Sequence, residues 1–291
     1  MKKYIVLFSI LISLSFSAQQ DYDWFKINKY RTAVLSDSLK ENSGLEFFQN
    51  RLFTINDGGN SSEIFEINKE TGKIKNVFKT NLINRDWEAI ASDSTNLYIG
   101  DFGNNVGSRK DLVIYKIPFT DSLDLKEITK IPFYYPEQKD FTPKNLNNNF
   151  DAEAMILLNG QIHVFTKEWA ARSTTHYTVD PTISEKQSAQ KAEFYNAGYV
   201  VTDAAYFEQK LYLIGYTKKA EVFLTIFNES EPGIFFSNKP NKYYLGSSIN
   251  LGQIEGIAVD KTGIYISGEE FNLPIIKVKP YLYFIPFEKL K

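Results

Sequence analysis

The chain has 291 residues, with 33 Lys and Arg against 35 Asp and Glu, two His and no Cys. Without Cys there are no disulfides, no thiolate metal ligands, no Cys nucleophile and no lipidated N-terminal Cys. The near-neutral balance, with no long basic run, leaves no electrostatic footprint for nucleic acid.

Met1-Lys2-Lys3 is followed by an apolar run from Tyr4 to Phe16 that ends at Ser17-Ala18. A basic start, a short apolar core and a small-residue exit make a secretory signal peptide, residues 1–18. The run is short for a membrane span, which needs about 20 residues, and no later segment is longer or more apolar. The expectation is an exported protein, periplasmic or secreted, with no transmembrane segment after cleavage. Residues 19–291 then form one domain, large enough to rest on its core. Its 23 Phe and 18 Tyr favour strands over helices.

Beyond this leader one five-residue pattern recurs. Its copies are Glu41-Asn-Ser-Gly-Leu45, Asp86-Trp-Glu-Ala-Ile90, Asp151-Ala-Glu-Ala-Met155, Val201-Thr-Asp-Ala-Ala205 and Gln253-Ile-Glu-Gly-Ile257. The central residues are Ser43, Glu88, Glu153, Asp203 and Glu255, each followed by Gly or Ala. Every copy opens a strand, then a turn and a second strand: 52–55, 97–100, 161–166, 211–214 and 264–267. Asn159-Gly160 is the clearest turn, because both residues tolerate positive φ. Third strands follow at 64–67, 112–117, 175–179, 222–227 and 281–287, and a fourth in the first unit at 73–78. Four short antiparallel strands repeated about a centre are the plan of a β-propeller.

The central positions lie 45, 65, 50 and 52 residues apart, which predicts five blades, with six as the alternative. The long step carries a Pro- and Asn-rich segment, 133–150, that reads as an insertion on the outer edge. Residues 25–35 are expected to supply the outer strand of the last blade and close the ring, removing exposed edges.

In a propeller the first strand of each blade lines the channel, and the second returns its end to the same mouth. Those ends are Asn56-Asp57, Asp101, Glu168 and Glu269-Glu270, with Tyr216-Thr217 as the exception. This pairing predicts Glu88 near Asp101, Glu153 near Glu168 and Glu255 near Glu269. So many carboxylates on one axis require raised pKa values or a bound cation. Oxygen ligands without Cys or a His cluster favour Ca²⁺ ahead of Mg²⁺. The candidate ligands are Glu41, Glu88, Asp101, Glu153 and Glu255. Glu41 stands in for the acid missing at Ser43, and with Asp86 and Asp151 it makes blades one to three the richer side. The competing reading is that each motif acid only caps backbone N–H groups of a neighbouring blade.

Glu41-Asn-Ser-Gly-Leu45, the strand that follows it and Asp86-Trp-Glu-Ala-Ile90 resemble the opening of the SdiA-regulated (YjiK-like) propeller family, which is distantly NHL-like. The resemblance implies five blades, a bound calcium ion and no established activity, with Glu88, Glu153 and Glu255 at matched positions. Ala89 and Ala154 depart from the commoner Gly, and segment 133–150 is an insertion.

Other patterns exclude more than they propose. His163 and His176 lie on predicted strands with no partner at ligand spacing, so no zinc site is expected. No G-x-S-x-G elbow occurs. Asn56-Asp-Gly-Gly-Asn60 and Asp101-Phe-Gly-Asn-Asn105 resemble calcium loops but lack the closing Glu of an EF-hand. The expected function is an exported binding or scaffold propeller, monomeric, holding an unidentified ligand or protein at its mouth. A calcium-dependent hydrolase of the lactonase or phosphotriesterase type is the alternative. A glycan-binding surface protein using Trp24, Trp87 and Trp169 is the third reading.

Overall fold

The computed structural model describes residues 21–120, 122–274 and 276–290, so the expected signal peptide, residues 1–18, lies outside the described residues. The chain is a five-bladed β-propeller. Blade 1 is Asn42–Phe48, Arg51–Asn56, Glu63–Ile67 and Ile74–Lys79. Blade 2 is Trp87–Ser92, Asn96–Asp101, Val113–Pro118 and Thr129–Tyr134. Blade 3 is Asp151–Leu158, Gln161–Lys167, Thr174–Val179 and Gln190–Tyr195. Blade 4 is Val200–Phe207, Lys210–Tyr216, Glu221–Asn228 and Asn241–Ser247. Blade 5 takes Gln253–Asp260, Gly263–Glu269 and Tyr281–Pro286 from the end of the chain, and its outer strand, Arg31–Val34, from the beginning. That pairing closes the ring as expected. Short parallel strands cover two outer edges, Asp23–Trp24 on blade 4 and Gln187–Ser188 on blade 2.

The turns follow local chemistry. Asn159 and Gly160 both have positive φ (52° and 74°), as a two-residue hairpin requires. Inside each blade the strands alternate buried faces, and five buried apolar clusters result, one for each pair of adjacent blades. Trp87 and Phe53, for example, belong to the cluster between blades 1 and 2, and Tyr265 and Leu52 to that between blades 5 and 1. Every blade therefore has apolar neighbours on both faces, and none is an end.

The recurring motif has a backbone cause. In every blade the register between first and second strands slips by one residue within the motif: at Gly44, Glu88, Glu153, Thr202 and Glu255. A residue without a ladder partner is free to turn its side chain toward the axis. In blades 2, 3 and 5 that residue is the motif acid. In blade 4 it is Thr202, and Asp203 takes a different direction. Asp203 is fully buried and accepts N–H bonds from Leu45 of blade 1 (3.2 Å), Ile257 of blade 5 (2.7 Å) and its neighbour Ala204 (2.8 Å). It fastens its own blade to two others. Ser43 and Thr202 do similar work as hydroxyl donors, to the carbonyls of Glu88 and Ile254 (both 2.8 Å).

Two expectations need correction. Thr129–Tyr134 is a regular outer strand, so the insertion starts after it. It does not stay on the outer edge. Backbone bonds from Lys144 to Val106 (2.8 Å) and from Leu146 to Asn105 (3.1 Å) carry it back to the channel mouth. The histidines do have a partner, each other: His163 Nδ1 and His176 Nε2 are 2.8 Å apart on adjacent strands of blade 3, with His176 Nδ1 3.1 Å from Glu193. Burial pushes His163 down to about 4. Both histidines pack around Phe235.

Asp203→Ala strands the N–H groups of Leu45 and Ile257 in the core. Urea unfolding is expected to show a loss of about 2–4 kcal/mol. The loss should be the same with calcium and with chelator, because this acid holds blades together.

Candidate metal centre

The mouth divides into two halves, one built on three carboxylates and one in which two glutamates share a lysine. One half lies between blades 1 and 2. Asp57 follows the second strand of blade 1, Asp86 precedes the first strand of blade 2, and Glu88 is the unpaired residue of that strand. One carboxylate oxygen from each lies within 4.8 Å of the others. Glu88 is buried, and its carboxylate has no hydrogen-bond or ion-pair partner among the described residues. Asp57 accepts the N–H of Gly58. Two glycines make the room: a Cβ at Gly58 would overlap Asp86, and one at Gly103 would overlap both Glu88 and Asp86.

The electrostatics match this crowding. Burial first, then repulsion from Asp57, Glu153 and Asp86, holds the Glu88 carboxyl well above the usual range. Asp57 is pushed up to about 7, mainly by burial, with Asp86 and Glu255 adding repulsion. Asp86 is raised by burial despite the pull of Arg109. Two ionised carboxylates at such separation repel by roughly 3–4 kcal/mol at an effective dielectric of about 20. Three of them fit a hard cation that takes six to eight oxygens, the rest supplied by water.

The other half contains its own cation. Lys167, the last residue of the second strand of blade 3, is 3% exposed and lies on the axis. Its ammonium pairs with Glu153 and stands 3.8 Å from Glu255. It also faces the rings of Trp169 (4.9 Å) and Tyr216 (5.4 Å). Despite burial, Glu153 and Glu255 hold Lys167 well above its usual pKa, so it stays protonated. Glu255 further accepts from Gln253 (2.7 Å) and Tyr216 (3.3 Å). One oxygen of each glutamate, Oε2, stays buried without a partner.

The five residues expected as ligands thus separate. Glu88 belongs to the three-carboxylate cluster. Glu153 and Glu255 face Lys167. Asp101 is fully buried, pairs with Arg109 (2.9 Å) and accepts the N–H of Asp86 (3.2 Å), so it shapes the cluster from behind. Glu41 is exposed at the rim and accepts from Asn60 (2.7 Å). Glu168, expected beside Glu153, instead accepts from the hydroxyls of Thr166, Ser173 and Thr175. Asp151 pairs with Lys167 across the ladder, which puts Lys167 at the mouth and Glu168 one residue past it. A shift of one residue decides which side chain faces the axis. Asp151 itself accepts from Asn104 (2.6 Å) and Trp169 (2.9 Å) and is pushed up to about 6 by burial.

Asp57 and Asp86 were visible in the sequence as a second-strand end and as the acid two places before Glu88. Their convergence on one point was not. The tryptophans form no common platform: Trp87 is in the core, Trp169 is buried beside Lys167, and Trp24 lies on the outer edge of blade 4 against Tyr244.

Fold and site define a five-bladed β-propeller with an acidic mouth. No protein-family model matches the chain, and no curated protein does. Among solved structures it is similar to a luciferin-regenerating enzyme (TM-score 0.46, 11% identity, covering 84% of this chain and 77% of that one). It is also similar to the Kuenenia stuttgartiensis hydrazine synthase (0.42, 12%, 87% and 68%). A third is a proposed 6-phosphogluconolactonase from Bacteroides uniformis (0.35, 12%, 86% and 71%). Likeness at this level concerns the fold and carries no activity across.

Lys167→Met would leave Glu153 and Glu255 facing each other with no buried cation. In chelator at pH 8 the variant is expected to lose about 3–5 kcal/mol. Burial holds the Glu153 carboxyl well above its usual range; such a group destabilises as pH climbs above its unfolded value, so the deficit should shrink toward pH 5 as Glu153 protonates. Urea unfolding at the two pH values checks this; an equal loss at both would contradict it.

Proposed function

We propose that this chain is an exported propeller of the binding or scaffold type, whose mouth holds one calcium ion on Asp57, Asp86 and Glu88. The observation that carries the reading is the buried, unpartnered carboxylate of Glu88 meeting two further acids within 4.8 Å. In the opposite half Lys167 offsets one of the two charges of Glu153 and Glu255, so the larger uncompensated demand for a cation falls between blades 1 and 2. The motifs around Glu41–Leu45 and Asp86–Ile90 support membership of the SdiA-regulated (YjiK-like) family, and the basic-apolar-small N-terminus supports export.

Hydrolysis of the lactonase kind has less support. It needs a general base beside the ion. Among the described residues the two histidines are engaged in blade 3 and Lys167 is held protonated, which leaves that role to a carboxylate of the mouth.

Thermal melts with calcium and with EDTA test the ion. At a calcium concentration about 100 times Kd, stabilisation is about 2.7 kcal/mol. Glu88→Gln is expected to abolish the calcium-dependent shift, and Glu153→Gln to retain it. A melting temperature that ignores calcium in the wild type would overturn the reading. Turnover of lactones or phosphate esters that depends on calcium and is lost in Glu88→Gln would replace binding with catalysis.

A further inference from the structure

Blade 2 carries a second concavity, away from the channel. A cavity of about 350 Å³ opens at the end of its outer strand. Its floor is aromatic: Phe133 and Tyr135 are buried there, and Tyr134 is 43% exposed. The chain that follows, residues 136–150, forms one lip and adds Phe141. The other lip comes from blade 3, whose Gln187–Ser188 pairs in parallel with Phe133–Tyr134 and brings Lys186 to the opening.

Three exposed lysines surround this aromatic floor. Lys110 Nζ lies 4.7 Å over the ring of Phe141. Lys186 Nζ donates to the carbonyl of Lys110 (2.7 Å) and lies 5.8 Å over Tyr134. Lys139 stands on the lip. None of the three ammonium groups has a carboxylate partner among the described residues. Of the acids nearby, Asp111 is paired with Arg85 and Arg109 and Asp140 with Lys144, while Glu137 accepts from the hydroxyl of Tyr177 and is one charge against three lysines. The local field is therefore positive, and an anion entering it displaces no existing ion pair.

The loop itself is unusual. A connection of this length without regular structure is uncommon in a compact domain and is most often functional when ordered. Here it is tied down at both ends. Gln138 is buried and donates to the carbonyl of Gly107 (2.8 Å), and Asn148 donates to those of Asn104 and Asn105 (3.3 and 3.0 Å). The result is a preformed cavity of the size that takes small molecules, mostly apolar, with a few convergent charges.

We propose that this cavity is a binding site for a small aromatic anion, an aryl carboxylate, sulfonate or phosphate. The ring would lie on Tyr134 and Phe141, and the anionic group between Lys110 and Lys186. Aromatic stacking supplies the area, and the lysines supply the choice of anion over neutral ring. The site is independent of the cation at the channel mouth.

Two fluorescent probes that differ only in charge test it on the whole protein: 8-anilinonaphthalene-1-sulfonate and the uncharged N-phenyl-1-naphthylamine. The sulfonate is expected to bind saturably, at one site, at least tenfold more tightly than the neutral probe. Lys110→Gln combined with Lys186→Gln should erase that preference, and Tyr134→Ala should weaken both probes. Lys261→Gln, on another face, should change neither. All four substitutions are on exposed side chains, and near-UV circular dichroism verifies the native fold. Equal affinity for the two probes, no saturable binding, or a preference that survives in the double variant would overturn the proposal.

Discussion

The arrangement of the mouth depends on charge balance among carboxylates that burial withdraws from the screening of water. A propeller brings one strand end from every blade to a common axis, so a residue type repeated in each blade is concentrated there fivefold. When that residue is acidic, the repulsion that results is large compared with the net stability of a domain, about 5–15 kcal/mol. Something must oppose it. On one side Lys167 does so, with Trp169 and Tyr216 giving its ammonium a second favourable surface. On the other side the pull of Arg109 and Lys167 still leaves all three carboxyls raised, and a bound divalent ion is the further relief we propose.

The same motif position therefore does three different jobs. In blade 4 the acid has moved one residue relative to the slip in the ladder, and Asp203 became a fastener bonded to two neighbouring blades. In blades 3 and 5 Glu153 and Glu255 hold a lysine. In blade 2 the Glu88 carboxylate has no hydrogen-bond or ion-pair partner among the described residues. The slip itself is common to all five blades, so the repeat preserves a backbone irregularity, and each blade uses the freed side chain as its surroundings allow. This also explains why Ser43 and Gly44 suffice in blade 1. The hydroxyl fastens the blade to its neighbour, and the acid of that sector is Asp57, from the returning strand.

Much of this was legible in the sequence. Blade number, strand order, the Asn159-Gly160 turn and closure by the N-terminal strand followed from periodicity and turn chemistry, both local properties. The proximity of Glu255 and Glu269, which both accept from Gln253, followed from antiparallel return. What could not be read was register to within one residue. That single step put Lys167 on the axis and Glu168 among hydroxyls, and in blade 4 it turned Asp203 to the N–H groups of Leu45 and Ile257. The convergence of Asp57, Asp86 and Glu88 also needed the backbone, because it depends on the room left by Gly58 and Gly103 on two different blades. Segment 133–150 misled for a related reason: composition marks a loop, but only its backbone bonds to Asn105 and Val106 show where it goes.

The division of the mouth into a half held by Lys167 and a cation-seeking half is tested most directly by a crystal structure of the protein grown in saturating calcium. The account predicts one calcium peak coordinated by Asp57, Asp86 and Glu88 at about 2.3–2.6 Å, with Lys167 still paired to Glu153. A calcium ion between Glu153 and Glu255 with Lys167 displaced, or no calcium at the mouth at all, would contradict it.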